Sequence, residues 1–141
     1  MRVFGLLLVV FGLLFMVPRA AEAAVEARID VSSQRMRVVV DGRSTYEWAV
    51  STGRRGYDTP RGAWRPQALH AKYYSRKYHN SPMPHSIFFT GGVAIHGTYE
   101  TRNLGRPASH GCVRLAPQHA AVLYGLVRSH GLNNARIVVY D

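Results

Sequence analysis

The only cysteine of the chain, Cys112, lies in the stretch ASHGCVRL (residues 108–115), with His110 two residues before it and Arg114 two after. Such a thiol could be an inert buried group, a metal ligand or a nucleophile. A cysteine nucleophile needs a base to take its proton, a group to orient that base, and donors for the oxyanion that develops. Of the seven histidines, His96 is the best base. It ends the apolar run GGVAIHG, where a strand would fix it and Gly97 would leave its surroundings open. His110 belongs to the cysteine turn itself. Residues two apart on a turn need not face each other, so it could brace the loop instead. The bland reading of His96 is a half-buried strand-end histidine bonded to backbone. His119 and His130 fall in a helical segment and read as capping or surface residues. Zinc accepts a His, His, Cys ligand mix, but His-x-Cys is not the spacing of a structural zinc site and no His-Glu-x-x-His motif occurs. No metal and no cofactor is therefore expected.

These residues need elements to hold them. MRVVV, Asp41-Gly42 and STYEWAVS read as a hairpin over residues 36–51, because Asp-Gly suits a type I′ turn. TGRRGYDTPRGAW reads as a loop on its glycines and prolines. SIFFT and VAIHG flank Gly91-Gly92 as a second hairpin. In ALHAKYYSRKYHNSPMP, Tyr73, Tyr74 and Tyr78 suit either a strand or a groove lining. One helix is expected from Pro117, with Ala120, Leu123, Tyr124 and Val127 on one face, Arg128 and His130 in the last turn, and Gly131 as the stop. ARIVVY reads as a final strand, and ARIDVSS alternates weakly. The expectation is a mainly β domain with one principal helix packed on its sheets, and Cys112 on the loop leading to that helix.

The first residues read differently. Arg2, an unbroken apolar run from Val3 to Val17, Pro18 and then Ala21-Glu22-Ala23 suggest a signal peptide over residues 1–23. The run is shorter than the roughly 20 residues of a spanning helix, although a retained anchor is the alternative. Removing such a leader leaves residues 24–141, with sixteen basic against seven acidic residues. Export makes a nucleic-acid partner a poor expectation, and an acidic extracytoplasmic polymer or a membrane surface an easier one. It also sharpens the question about Cys112. Exported domains use cysteines in pairs, and this one has no partner within the chain.

The stretch HGTYETRNLGRPASHGCVRL (residues 96–115) resembles the signature of the L,D-transpeptidase catalytic domain, or YkuD domain: a His-Gly, a spacer, then Ser-His-Gly-Cys-x-Arg/Asn. STGRRGYDTPRG (residues 51–62) is similar to the Ser-Thr-Gly…Thr-Pro-x-Gly segment of that family, and MPHSIFFTGGVAIHG to the strand pair that precedes its histidine. The resemblance runs over about residues 28–141 and implies a YkuD-like β-sandwich with one principal helix after the cysteine loop. It implies Cys112 as nucleophile and His96 as base, held by the backbone carbonyl of Gly97. The amides of Gly111 and Cys112, with His110 nearby, would form the oxyanion hole, and Ser109 and His110 would hold the cysteine loop. Arg114 would meet a substrate carboxylate or stabilise the cleft, with Tyr78, Met83 and His85 lining the substrate cleft. His85 stands where the family often has an aromatic residue, a departure at the mouth of the cleft.

The activity so implied is acyl transfer at the L,D bond before the terminal D-alanine of a peptidoglycan tetrapeptide stem. The acceptor could be a stem amine (giving a 3→3 cross-link), a free D-amino acid or a lysine of an envelope protein. Water would make the enzyme an L,D-carboxypeptidase or an endopeptidase of the same fold, and a non-catalytic wall-binding module is the reading from another class. Resistance to most penicillins and acylation by carbapenems are further expectations. The resemblance also implies an exported monomer in the periplasm or cell wall of a bacterium, without a nucleic-acid partner.

Overall fold

The computed structural model describes residues 22–141, so the signal-peptide expectation lies almost wholly outside the described residues. Among the described residues eleven strands and one α-helix follow in the order β1 (Val25–Asp30), β2 (Arg35–Val40), β3 (Arg43–Ala49), β4 (Gly62–Trp64), β5 (Ala68–His70), β6 (Tyr74–Ser75), β7 (Ser81–Pro82), β8 (Ser86–Thr90), β9 (Val93–Gly97), β10 (Val113–Leu115), α1 (Pro117–His130) and β11 (Ala135–Tyr140). A five-stranded sheet runs β3-β2-β1-β11-β4 and a four-stranded sheet runs β10-β9-β8-β5, with β6 and β7 as a separate ribbon. Strand β1 is more regular than its sequence suggests, because Val25, Ala27 and Ile29 alternate into the core. It pairs antiparallel with β2 and parallel with β11.

Both expected hairpins form. Asp41 and Gly42 take positive φ of 49° and 78°, as a type I′ turn between β2 and β3 requires. Gly91-Gly92 turns β8 back into β9. The segment read wholly as a loop holds a strand at its end, since Gly62–Trp64 pairs with β11 as an edge. Glycine and proline punctuation hid it, and Trp64 covers the core from there, 5.2 Å from the Phe89 ring.

The core lies between the two sheets and the helix. Met36 and Val38 come from one sheet, Phe89 and Ile95 from the other, and Ala120, Leu123 and Val127 from α1. The helix starts at Pro117 and is stopped by Gly131, whose N–H bonds the Val127 carbonyl. Tyr124 of the expected apolar face is only partly buried. Cys112 does not lead directly into this helix. The short strand β10 intervenes, and it is the element that fixes the cysteine's position.

Candidate active site

Strand β10 runs parallel to β9 with Val113 opposite Ile95, Arg114 opposite His96 and Leu115 opposite Gly97. Val113, Leu115 and Ile95 are buried in the core. Side chains alternate along a strand, so Arg114 and His96 share the other face, and Cys112, two residues before Arg114, continues it. All three side chains line one cavity of about 810 Å³. The sixteen-residue spacing of His96 and Cys112 is thus the loop that carries β9 back, in parallel, as β10.

A network of hydrogen bonds fixes the cysteine turn. Ser109 Oγ accepts from the Gly111 N–H at 3.0 Å and donates to the Cys112 carbonyl at 2.6 Å. Gly111 has φ 124°, a value that favours glycine. Its carbonyl accepts from Thr59 Oγ1 at 2.8 Å, and Thr59 Oγ1 in turn accepts from the Gly53 N–H at 2.9 Å. A Cβ at Gly53 would lie 1.7 Å from the Tyr57 carbonyl oxygen, so only glycine fits there. The Ser51-Thr52-Gly53 segment runs alongside the turn. Ser51 exchanges both backbone hydrogen bonds with Arg114, Thr52 O accepts from Ser109 N–H, and Arg54 N–H donates to Ser109 O. Behind it, buried Gln34 donates to Thr52 Oγ1 at 2.7 Å and accepts from the Thr52 N–H at 3.0 Å.

The electrostatics favour a neutral pair at rest. His96 Nδ1–H donates to the Gly97 carbonyl at 2.7 Å, which leaves Nε2 with its lone pair. Burial, opposed by the Gly97 hydrogen bond and reinforced by the Arg114 charge, lowers the His96 pKa to about 4. Burial pushes the Cys112 thiol up, while a backbone hydrogen bond from Ala94 and the Arg114 charge pull it down. Glu100 does not orient His96. Its carboxylate lies 3.6 Å from Arg114 instead. Around the cavity Arg54, Arg76, Lys77 and Arg114 face this one acidic side chain.

A family model for the L,D-transpeptidase catalytic domain (YkuD) matches residues 25–139. The chain belongs to the L,D-transpeptidase catalytic domain family. Its fold is similar to that of an L,D-transpeptidase from Mycobacterium smegmatis, at 25% identity, TM-score 0.76 and coverage of 84% of this chain and 59% of that one. An L,D-transpeptidase from Stackebrandtia nassauensis shares 29% identity over 90% of this chain and 60% of its own, with TM-score 0.74. An L,D-transpeptidase 3 from Mycobacterium tuberculosis, solved in complex with a faropenem-derived adduct, shares the fold at 18% identity, TM-score 0.74 and coverage of 84% and 61%. The chain thus spans under two thirds of the length of these relatives. A comparison with curated protein sequences returned no match.

Within this L,D-transpeptidase domain the cavity brings together Cys112, His96, Ser109, His110 and Arg114, with Tyr78 and Met83 on its wall. Three expectations need correction. His85 lies in an adjoining groove with Tyr74 and Tyr99, edge-on to Tyr124 at 5.2 Å, and does not line the cavity of the cysteine. Gly97 does not leave open space, since a Cβ there would meet Pro84, Pro117 and Ala120 at 3.1–3.3 Å. It is the contact at which the start of α1 packs on β9. The Gly111 N–H is engaged by Ser109 Oγ, so it is not a free oxyanion donor in this structure. Sequence reasoning also missed Gln34, Arg54, Tyr57 and Thr59. The Thr-Pro-x-Gly likeness contained Thr59, but nothing local told that its hydroxyl joins two glycines of different loops.

Proposed function

We propose that the chain is an exported L,D-transpeptidase that acts on peptidoglycan stem peptides through Cys112, with His96 as its base. The observation that carries this reading is the placement of Cys112 and His96 on one face of β9–β10, with the His96 Nδ1–H tied to Gly97. A base must offer a lone pair to the thiol, and the Gly97 hydrogen bond leaves Nε2 in that form. Because burial disfavours both thiolate and imidazolium, the Cys112 proton passes to His96 Nε2 as Sγ attacks. The attack forms the S–C bond at the carbonyl of the L,D bond and moves the π pair onto oxygen, with the Cys112 amide as the donor assigned to it on this turn. Collapse expels D-alanine, which takes its proton from His96, and leaves a thioester. An amine then attacks the thioester while His96 accepts its proton, and the thiol is restored.

The cationic cavity suits a carboxylate-bearing peptide, and the planar donors of Arg114 suit a carboxylate. The relative holding a faropenem-derived adduct supports β-lactams as probes. The test is incubation of the purified protein with a tetrapeptide stem, read by intact mass and by muropeptide mass analysis. The expected result is an adduct that has lost D-alanine on the parent protein and none on Cys112→Ala. Dimers, exchanged D-amino acid and trimmed tripeptide would identify amine, D-amino acid and water as acceptor. The same adduct on Cys112→Ala, or none on the parent, overturns the proposal.

A further inference from the structure

Three histidines, His79, His96 and His110, line the cavity, and the hydrogen bonds of His96 and His110 leave those two unequal. His96 donates Nδ1–H to a carbonyl, which can only accept, so its free end is a lone pair. In His110 the bonded end is Nε2, 3.0 Å from a terminal nitrogen of Arg54. A guanidinium stays protonated and only donates, so this Nε2 must be the acceptor and the ring proton sits on Nδ1. Both rings therefore carry the proton on the same nitrogen, but opposite ends are engaged. His96 offers a lone pair, and His110 retains an N–H.

The arrangement around His110 is closely held. Tyr78 stacks on the ring at 4.2 Å with planes 8° apart, and Tyr57 meets it edge-on at 4.9 Å. Arg54 is an exposed residue held at three points. Its backbone N–H donates to the Ser109 carbonyl at 2.9 Å, its guanidinium lies 5.0 Å from the Tyr57 ring centre, and its neighbour Gly53 admits no side chain. We propose that Arg54 is a positioning residue that holds His110 neutral in the Nδ1–H form, so that His110 can donate but cannot compete with His96 for the thiol proton. Burial lowers the His110 pKa, and the charges of Arg54, Arg114 and Lys77 lower it further, in keeping with a neutral ring. A neutral N–H donor suits a site where a carbonyl oxygen gains charge, and a second free imidazole lone pair would scatter the proton. This inference rests on the cysteine acyl-transfer reading.

Two measurements on the full chain test it. Nitrogen-detected NMR of the histidine rings at neutral pH should show His110 protonated at Nδ1 in the parent. In Arg54→Met it should become a mixture or the Nε2–H form, with the His96 signals unchanged as the internal control for folding. Arg54→Lys, which keeps a donor, should restore the Nδ1–H form. The rate constant for β-lactam acylation should fall at least tenfold in Arg54→Met, with a smaller change in the concentration giving half-maximal rate, and recover most of that loss in Arg54→Lys. A parent spectrum with the His110 proton on Nε2 overturns the proposal without any variant. An unchanged His110 tautomer or an unchanged acylation rate constant in Arg54→Met overturns it as well. Failure of the acyl-transfer reading is separable, because it would show as absence of a Cys112 adduct on the parent while the tautomer measurement still reads the effect of Arg54.

Discussion

His96 and Arg114 stand directly opposite each other across the parallel pairing of β9 and β10. This relationship places a permanent cation beside a buried imidazole, on the face of the sheet that also carries Cys112. The Arg114 charge lowers the His96 pKa, in addition to the larger effect of burial. The strand pairing so sets the geometry of the proposed base and adds to the effect of burial on its protonation.

The first prediction concerns the pH dependence of acylation. As the proposed base His96 must be unprotonated to accept the thiol proton, and burial lowers its pKa to about 4 in the folded protein. The acid limb of the rate for β-lactam acylation of the free protein should fall near pH 4, and the rate should show no histidine-type loss between pH 7 and 5. Acylation followed by intact mass from pH 3.5 to 8 checks this. A limb centred at the ordinary histidine value, 6.5, would contradict the burial argument.

The second concerns stability. His96 binds a proton more weakly folded than unfolded, so between pH 6.5 and 4 the unfolded chain holds more protons. The stabilisation is complete above pH 6.5 and is lost as pH falls towards 4, by about 3 kcal/mol from this residue. The shift at His119, lowered by burial, has the same sign. Urea unfolding at pH 7 and pH 4.5 should show the loss, and His96→Asn should reduce the difference between the two pH values. An equal difference in parent and variant would remove His96 as its source.

The residues proposed to carry the chemistry could be singled out in the sequence, and their supports could not, for a physical reason. His96, His110 and Cys112 sit in short local patterns whose residue types suggest a chemistry, and the structure brings all three to one cavity. Thr59 reaches Gly111 across 52 positions, Gln34 reaches Thr52 across 18, and Arg54 reaches His110 across 56. Each of these is an ordinary polar residue until the strand register brings its partner alongside. The helix and both hairpins were legible because capping and turn residues mark their ends. Strand β4 was not, because an edge strand of three residues has too few positions for alternation to outweigh Gly62 and the nearby prolines.

Thr59 gives the third prediction. Its hydroxyl accepts from Gly53 N–H and donates to Gly111 O, and the residue is buried. Thr59→Val keeps the shape but strands both backbone groups, at about 3 kcal/mol. Thr59→Ser keeps both hydrogen bonds and should recover most of that loss. Thermal unfolding with acylation kinetics measures the two effects together, and the Val variant should also acylate more slowly because the cysteine turn loosens. Equal stability of the Val and Ser variants would show that the hydroxyl is not what holds the turn.

The last prediction separates the two roles proposed for Arg114. Its backbone is fixed by the exchange with Ser51, so replacing the side chain should leave the strand in place. Its guanidinium is paired only loosely, 3.6 Å from the carboxylate of the exposed Glu100, and so can turn to a substrate carboxylate. Arg114→Gln should raise KM for a tetrapeptide stem about tenfold or more, in line with losing a charged hydrogen bond of about 1.5–3 kcal/mol. The same variant removes the cation opposite His96. With that charge gone, the His96 pKa should rise and the acid limb of acylation should move to higher pH. Arg114→Lys should hold the limb near its parent position, because the charge stays, yet recover little of the KM effect, because the planar pair of donors is lost. If Gln and Lys variants shifted the limb equally, the charge of Arg114 would have no part in tuning the base.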